Sequence, residues 1–180
     1  MNFIKTAIEG IIIIEPLVFE DERGHFFEYY QKELFANNGI TIDFVQDNQS
    51  LSQKGVLRGL HFQAPPYAQA KLIRVIKGSV LDVAVDVRKN SPTYGKHVAV
   101  ELSETNKKTL YIPEGFAHGF LTLADNTIFS YKCSNYYNKL SEGALLWDDQ
   151  DLAINWGITT PILSEKDKEA PTFNSFSTPF

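Results

Sequence analysis

The sequence predicts an all-β fold, a sandwich or barrel, from three observations. Short runs rich in β-branched and aromatic residues recur along the chain, turn chemistry separates them, and only two short stretches read as helix. The runs are 11–19, 25–30, 44–52, 56–63, 70–77, 79–88, 96–103, 109–113 and 118–133. Their punctuation is Asp21-Glu22-Arg23-Gly24, Lys77-Gly78, Ser91-Pro92, Glu104-Thr105-Asn106 and Ala124-Asp125-Asn126, residues that supply turn conformations at little steric cost.

The first run holds the one continuous aliphatic stretch, Ile11 to Ile14, which Glu15-Pro16 ends. A helix is expected from Gln31 to Asn38, because Gly39 follows and glycine readily takes the left-handed helix-ending conformation. Apolar residues flank Lys77-Gly78 on both sides, so Lys71 to Val87 reads as a hairpin. Asp82 and Asp86 then fall on one side at period two, and a solvated face is the expectation for strand carboxylates. Phe129, Tyr131 and Cys133 share one side of their strand. From Asn138 the chain turns irregular, with one further helical turn near Glu165 to Glu169.

At 180 residues the chain fits one domain, 1–180, able to bury about two-thirds or more of its unfolded surface. Cys133 is the single cysteine, which excludes an intrachain disulfide and any multi-cysteine metal site and suits a reducing cytoplasm. Lys5 and Glu9 interrupt the N-terminal apolar residues, and a membrane span needs about 20 apolar residues in sequence, so neither a signal peptide nor a membrane partner is expected. A net charge of −5 argues against nucleic acid as a partner, because counterion release needs a basic surface. An anionic ligand would have to meet a local cluster of cations.

Such a cluster stands in Gly55-Val56-Leu57-Arg58-Gly59-Leu60-His61-Phe62-Gln63, with Lys71 after it and Pro113-Glu114-Gly115-Phe116-Ala117-His118 later. Charge is costly inside apolar β runs, so a site explains these residues better than packing. Singly, His61 and His118 also read as interior histidines, and Arg58 and Lys71 as surface cations. The two histidine segments resemble the halves of the cupin signature, in which a metal is often held. Here Gln63 stands two residues after His61, Lys71 occupies the region of an acidic ligand, and His25 and His97 lack ligand spacing. An ammonium repels a metal ion and an amide is a poor ligand, so no metal is expected.

Without a metal, a histidine near a lysine suits removal of a proton next to a carbonyl, the imidazole as base and the cation beside the oxyanion. Inversion at that carbon needs a second group, protonated at neutral pH, on the opposite face. Tyrosine meets that condition, and Tyr131 is the candidate.

At these residues the chain resembles the dTDP-4-dehydrorhamnose 3,5-epimerase family, cofactor-free enzymes of the cupin superfamily. The resemblance runs from Phe3 to about Asp167, through Asp21 to Glu28, Val45 to Asn48, Gly55 to Gln63, Lys71 to Val75, Pro113 to Phe120, Tyr131 to Cys133 and Leu163 to Asp167. It implies a jelly roll (double-stranded β-helix) and epimerisation at C3 and C5 of dTDP-4-dehydro-6-deoxy-D-glucose, giving dTDP-4-dehydro-L-rhamnose for cell-surface polysaccharide. His61 matches the family's base, Tyr131 its acid, Asp167 the carboxylate that orients the histidine, and Lys71 the cation at the enolate. Arg23, Glu28, Gln46, Asp47, Asn48, Arg58 and His118 match nucleotide-sugar contacts, with Arg23 and Arg58 suited to diphosphate. Tyr136 matches a thymine-stacking tyrosine, and Glu142 and Lys166 match further substrate contacts.

The resemblance also implies a homodimer that exchanges N-terminal strands, in which Arg23 and Glu28 could serve the partner's site. Three alternatives stay open: a C3-only epimerase, a 3,4-ketoisomerase, and a non-catalytic sugar-nucleotide-binding cupin. Tyr131 does not decide among the enzymes, because tyrosine also occurs in C3-only relatives.

Overall fold

The computed structural model describes residues 1–180, and nearly every expected run is a strand. In chain order these are β1 (Asn2–Lys5), β2 (Ile12–Glu15), β3 (Val18–Asp21), β4 (Gly24–Phe27), α1 (Lys32–Asn37), β5 (Gln46–Ser52), β6 (Leu57–Gln63), β7 (Lys71–Lys77), β8 (Ser79–Asp86) and β9 (His97–Ser103). After them come β10 (Thr109–Ile112), β11 (Phe116–Thr122), β12 (Thr127–Cys133), β13 (Glu142–Ala144) and α2 (Glu165–Lys168). A six-stranded sheet, β1-β2-β10-β7-β12-β5, faces a five-stranded one, β13-β6-β11-β8-β9, in a jelly roll, and β3-β4 forms a separate hairpin.

Alternation sorts side chains into three apolar layers. Ile73, Leu110 and Phe129 of one sheet meet Val80, Leu102, Phe116 and Phe120 of the other in the interior. Behind the five-stranded sheet, Leu57, Phe62, Val83 and Leu121 carry Leu145, Trp156 and the C-terminal Phe173, Phe176 and Phe180. Behind the six-stranded sheet, Ile14, Leu72 and Tyr111 receive Phe35 of α1. The Gln31 side chain caps α1 by accepting from the Leu34 N–H, and Gly39 ends it at φ +87°. Phe35 is fully buried, so truncation to alanine would cost about 3–5 kcal/mol.

Three expectations are corrected. Lys71 to Val87 is no hairpin: β7 lies in the six-stranded sheet between β10 and β12, and β8 in the other between β11 and β9. Lys77-Gly78 is therefore a corner between sheets, tied by Gly78 N–H to Glu104 Oε1 at 2.8 Å and Glu104 N–H to Gly78 O at 3.0 Å. Apolar residues flank it because both strands face the same core, not because they pair. Runs 11–19 and 118–133 each divide into two strands, at Pro16-Leu17 and at 123–126, and β1 and β13 are too short to carry a pattern.

Asp82 and Asp86 do share a face, but it is the interior, and both are fully buried. Val80, Val83, Ala84 and Val85 are buried too, so β8 has no solvated side. Burial alone would push the Asp86 carboxyl up. Hydrogen bonds from Arg88 Nε at 2.9 Å, Arg88 Nη2 at 2.7 Å, Ser91 Oγ at 2.5 Å and Thr93 Oγ1 at 2.6 Å outweigh it and bring the pKa down to about 2.

Candidate active site

A cleft of about 490 Å³ opens between the sheets, where the interior changes from apolar to polar. Arg58 and His61 of β6 and His118 and Phe120 of β11 line one wall. Lys71 of β7, Phe129 and Tyr131 of β12 and Ser50 of β5 line the other, and Leu163, Ser164 and Asp167 reach over from the C-terminal segment.

Strict alternation would place Arg58 and His61 on opposite faces of β6, yet both line the cleft. His118 pairs with His61 and Phe120 with Arg58, two steps on β11 against three on β6, so a bulge returns both side chains to one face. Gly59 makes this possible. It sits at φ +119°, and a Cβ there would lie 2.5 Å from the Gly119 Cα and 2.6 Å from the His118 carbonyl oxygen.

His61 Nε2 lies 2.5 Å from Asp167 Oδ1. Asp167 is held in the first turn of α2, where its N–H donates to the Ser164 cap at 3.2 Å. Burial pushes the Asp167 carboxyl up, but His61, Ser164 and Lys166 hold it below the usual carboxylate range. Such a carboxylate fixes the ring orientation and favours a proton on the nitrogen facing it, which leaves the other ring nitrogen free to accept.

His118 is buried, with Nε2 3.0 Å from both oxygens of Asp82. Burial pulls its pKa down, Asp82 pulls it up, and the neighbouring Lys71 and His61 add to the fall. Lys71 makes no ion pair, and its Nζ lies 5.8 Å from the Tyr131 ring centroid. Burial lowers the Lys71 pKa, against the pull of Cys133, Asp82 and Glu142. The Tyr131 hydroxyl is pushed up by burial and by Cys133, against Asn48 and Arg58, so it is a protonated donor at neutral pH. An imidazole tied to a carboxylate thus faces, from the opposite sheet, a neutral phenol and a lysine that makes no ion pair.

The family model for dTDP-4-dehydrorhamnose 3,5-epimerase matches residues 5–175. The chain belongs to the dTDP-4-dehydrorhamnose 3,5-epimerase family. The family's enzyme from Shigella flexneri is 53% identical over 174 residues, 96% of each chain. The crystal structure of the Elizabethkingia anophelis dTDP-4-dehydrorhamnose 3,5-epimerase superposes with a TM-score of 0.92 at 52% identity, covering 97% of each chain. That of a Legionella pneumophila 3,5-epimerase, solved in complex with dTDP-4-keto-L-rhamnose, gives 0.94 at 48% identity, covering 98% of this chain and 94% of that one.

Among the other residues that the family resemblance singled out, Gln46 and Asn48 face inward on β5. Gln46 Nε2 donates to Asn48 Oδ1 at 3.1 Å, and Asn48 stands opposite Tyr131 in register. Asp47 points to the other face of the sheet, onto Lys132 at 3.0 Å. Glu142, on the edge strand beside Gln63, pairs with Lys166 at 2.5 Å. Tyr136 is exposed close by, with its carbonyl accepting from Gln63 Nε2 at 3.2 Å. Arg23 and Glu28 are exposed on and just past the β3-β4 hairpin, Arg23 paired with Asp21, and neither lines the cleft of its own chain.

Sequence reasoning missed Asp82 as the partner of His118. The signal was present: a carboxylate in a run apolar on both faces has no solvated side to occupy. No group of three or more His, Cys, Asp or Glu side chains converges, and each cleft histidine is held by one aspartate.

Proposed function

We propose that residues 1–180 act as one domain that inverts C3 and C5 of dTDP-4-dehydro-6-deoxy-D-glucose, giving dTDP-4-dehydro-L-rhamnose. The observation that carries the reading is the placement of His61 and Tyr131 on opposite sheets, facing each other across one cleft.

The C4 ketone makes the protons on C3 and C5 acidic. His61, oriented by Asp167, takes one of them, and the C–H electron pair moves through the new C=C bond onto O4. The Lys71 ammonium stabilises that enolate. Tyr131 returns a proton to the opposite face of the same carbon, the electrons fall back from O4, and the ketone re-forms inverted. Reprotonation of the tyrosinate and loss of the proton from His61, both through solvent, reset the site. Phe120 and Phe129, stacked at 3.9 Å, form an apolar wall that limits water around the enolate.

Arg58 is suited to the diphosphate, and Gln46, Asn48, His118, Tyr136, Glu142 and Lys166 stand where they can hold the rest of the nucleotide sugar. We assign Arg23 and Glu28 to the mouth of a partner's site in a homodimer that exchanges N-terminal strands. The hairpin that carries Arg23 exposes Phe19 and Phe26, apolar area that a second chain would cover. The place of action we propose is the cytoplasm, on the way to rhamnose-containing surface polysaccharide. No helix is long and apolar enough to cross a membrane.

The test is turnover of dTDP-4-dehydro-6-deoxyglucose in deuterated water. Label at both C3 and C5 with formation of the L-rhamno product is expected; label at C3 alone, or none, would overturn the double inversion.

A further inference from the structure

Across the whole chain, two buried side-chain polar atoms lack any hydrogen-bond partner, Ser50 Oγ and Thr122 Oγ1, and Ser50 lines the cleft. β5 presents four polar residues inward, Gln46, Asn48, Ser50 and Ser52. Three are engaged within the protein. Gln46 accepts from the Tyr137 N–H at 3.0 Å and donates to Asn48, Asn48 donates to Cys133 Sγ at 3.6 Å, and Ser52 Oγ accepts from Arg58 Nε at 3.2 Å. Ser50 alone has nothing, although it stands opposite Phe129 in register, against the aromatic wall.

A buried hydroxyl without a partner is costly, and native interiors keep few of them. A ligand group resolves the anomaly. Ser50 Oγ is turned from solvent in the free protein while the residue stays partly exposed on the cleft wall. Serine has three staggered χ1 wells, and an unbonded hydroxyl gives up no hydrogen bond by moving between them.

Position along the strand selects the ligand group. Asn48 is level with Tyr131, where the reacting carbons lie on the functional reading above, and Ser52 holds Arg58, the guanidinium suited to the diphosphate. Ser50 is between them. In a 4-keto hexose bearing its diphosphate on C1, the hydroxyl between the ketone side and the phosphate is the one on C2.

We propose that Ser50 is a specificity contact of this chain, hydrogen-bonding the C2 hydroxyl of the bound hexose and so selecting against 2-deoxy sugars. The inference rests on the nucleotide-sugar reading of the cleft, and binding rather than turnover tests it.

Calorimetry with dTDP-glucose and dTDP-2-deoxyglucose, neither of which carries a ketone to react, is run on the wild-type protein and on Ser50→Ala. The wild type is expected to bind the 2-hydroxy ligand about tenfold more tightly than the 2-deoxy one, the size of a buried neutral hydrogen bond. Ser50→Ala should erase that ratio by weakening only the 2-hydroxy ligand, with an unchanged or higher Tm because an unsatisfied hydroxyl has been removed. A ratio that survives Ser50→Ala, equal weakening of both ligands, a lowered Tm, or no binding of either ligand by the wild type overturns the proposal. A wild type that shows the ratio and yet exchanges no protons of the 4-keto substrate would instead overturn the epimerase reading and leave the Ser50 contact standing.

Discussion

His61 and His118 are direct cross-strand partners, yet each is held by a different aspartate from a different part of the chain. His61 meets Asp167, 106 residues away in α2, and His118 meets Asp82 on the neighbouring strand β8. The two rings therefore sit in unlike surroundings: each has a carboxylate behind it, but His61 is partly open to the cleft and His118 is buried.

His61→Ala should lower deuterium exchange at both C3 and C5 by about 10²- to 10⁴-fold, the range for loss of a positioned base. Asp167→Asn should lower kcat by a smaller factor with little change in KM, because its contact in the structure is with the imidazole, at 2.5 Å. A KM effect that matches the kcat effect would place Asp167 against substrate instead.

Tyr131→Phe should retain exchange while slowing net inversion, since it removes the donor on one face and leaves the base on the other. The readout is the ratio of label incorporated to product formed. Equal loss of both would remove the division of labour between the two sheets.

The alkaline limb of the pH–rate profile should report Lys71. Its pKa is lowered by burial, so the ammonium is lost at a lower pH than that of a free lysine, while burial of Tyr131 moves the phenol's loss of its proton the other way. Lys71→Met should cut kcat and abolish this limb; a limb that persists unchanged would assign it elsewhere.

Asp86 makes an acid-stability prediction. Its folded pKa of about 2 lies below the ordinary 3.8, so its contribution is fully present above 3.8 and disappears as pH falls toward 2. That contribution is about 2 kcal/mol, and Asp86→Asn should flatten the loss of stability in that window in denaturant melts run from pH 5 to pH 2. An unchanged pH slope would show that another carboxylate governs acid unfolding.

Arg23→Ala and His61→Ala should complement each other. If Arg23 serves the partner's site, mixing the two inactive variants and letting subunits exchange restores about a quarter of wild-type activity, since half the dimers are mixed and each has one intact site. No recovery would place Arg23 in its own chain's site.

Strand positions, the one packed helix and the inward set Phe129, Tyr131 and Cys133 were legible because each rests on local pattern. The pairing of β7 and β8 was not, because apolar flanks look the same on a hairpin and on a corner between sheets. Arg58 and His61 show the same limit, since a bulge of one residue overrides period two and only a three-dimensional contact, Gly59 against Gly119, forces it. The His61–Asp167 contact was reachable only through family resemblance, as no local rule joins residues 106 positions apart.

That separation has a consequence in time. A ribosome adding about 5–20 residues per second completes the strand of His61 roughly 5–20 s before it delivers Asp167. Both sheets, the cleft wall and the histidine can be in place on a nascent chain while the tether is still being made. The last strap of chain, with Phe176 and Phe180 packed against Phe62 one residue from His61, then closes the molecule. On an unfinished polypeptide the His61 ring therefore stands without its carboxylate, and a nick before α2 would loosen that contact.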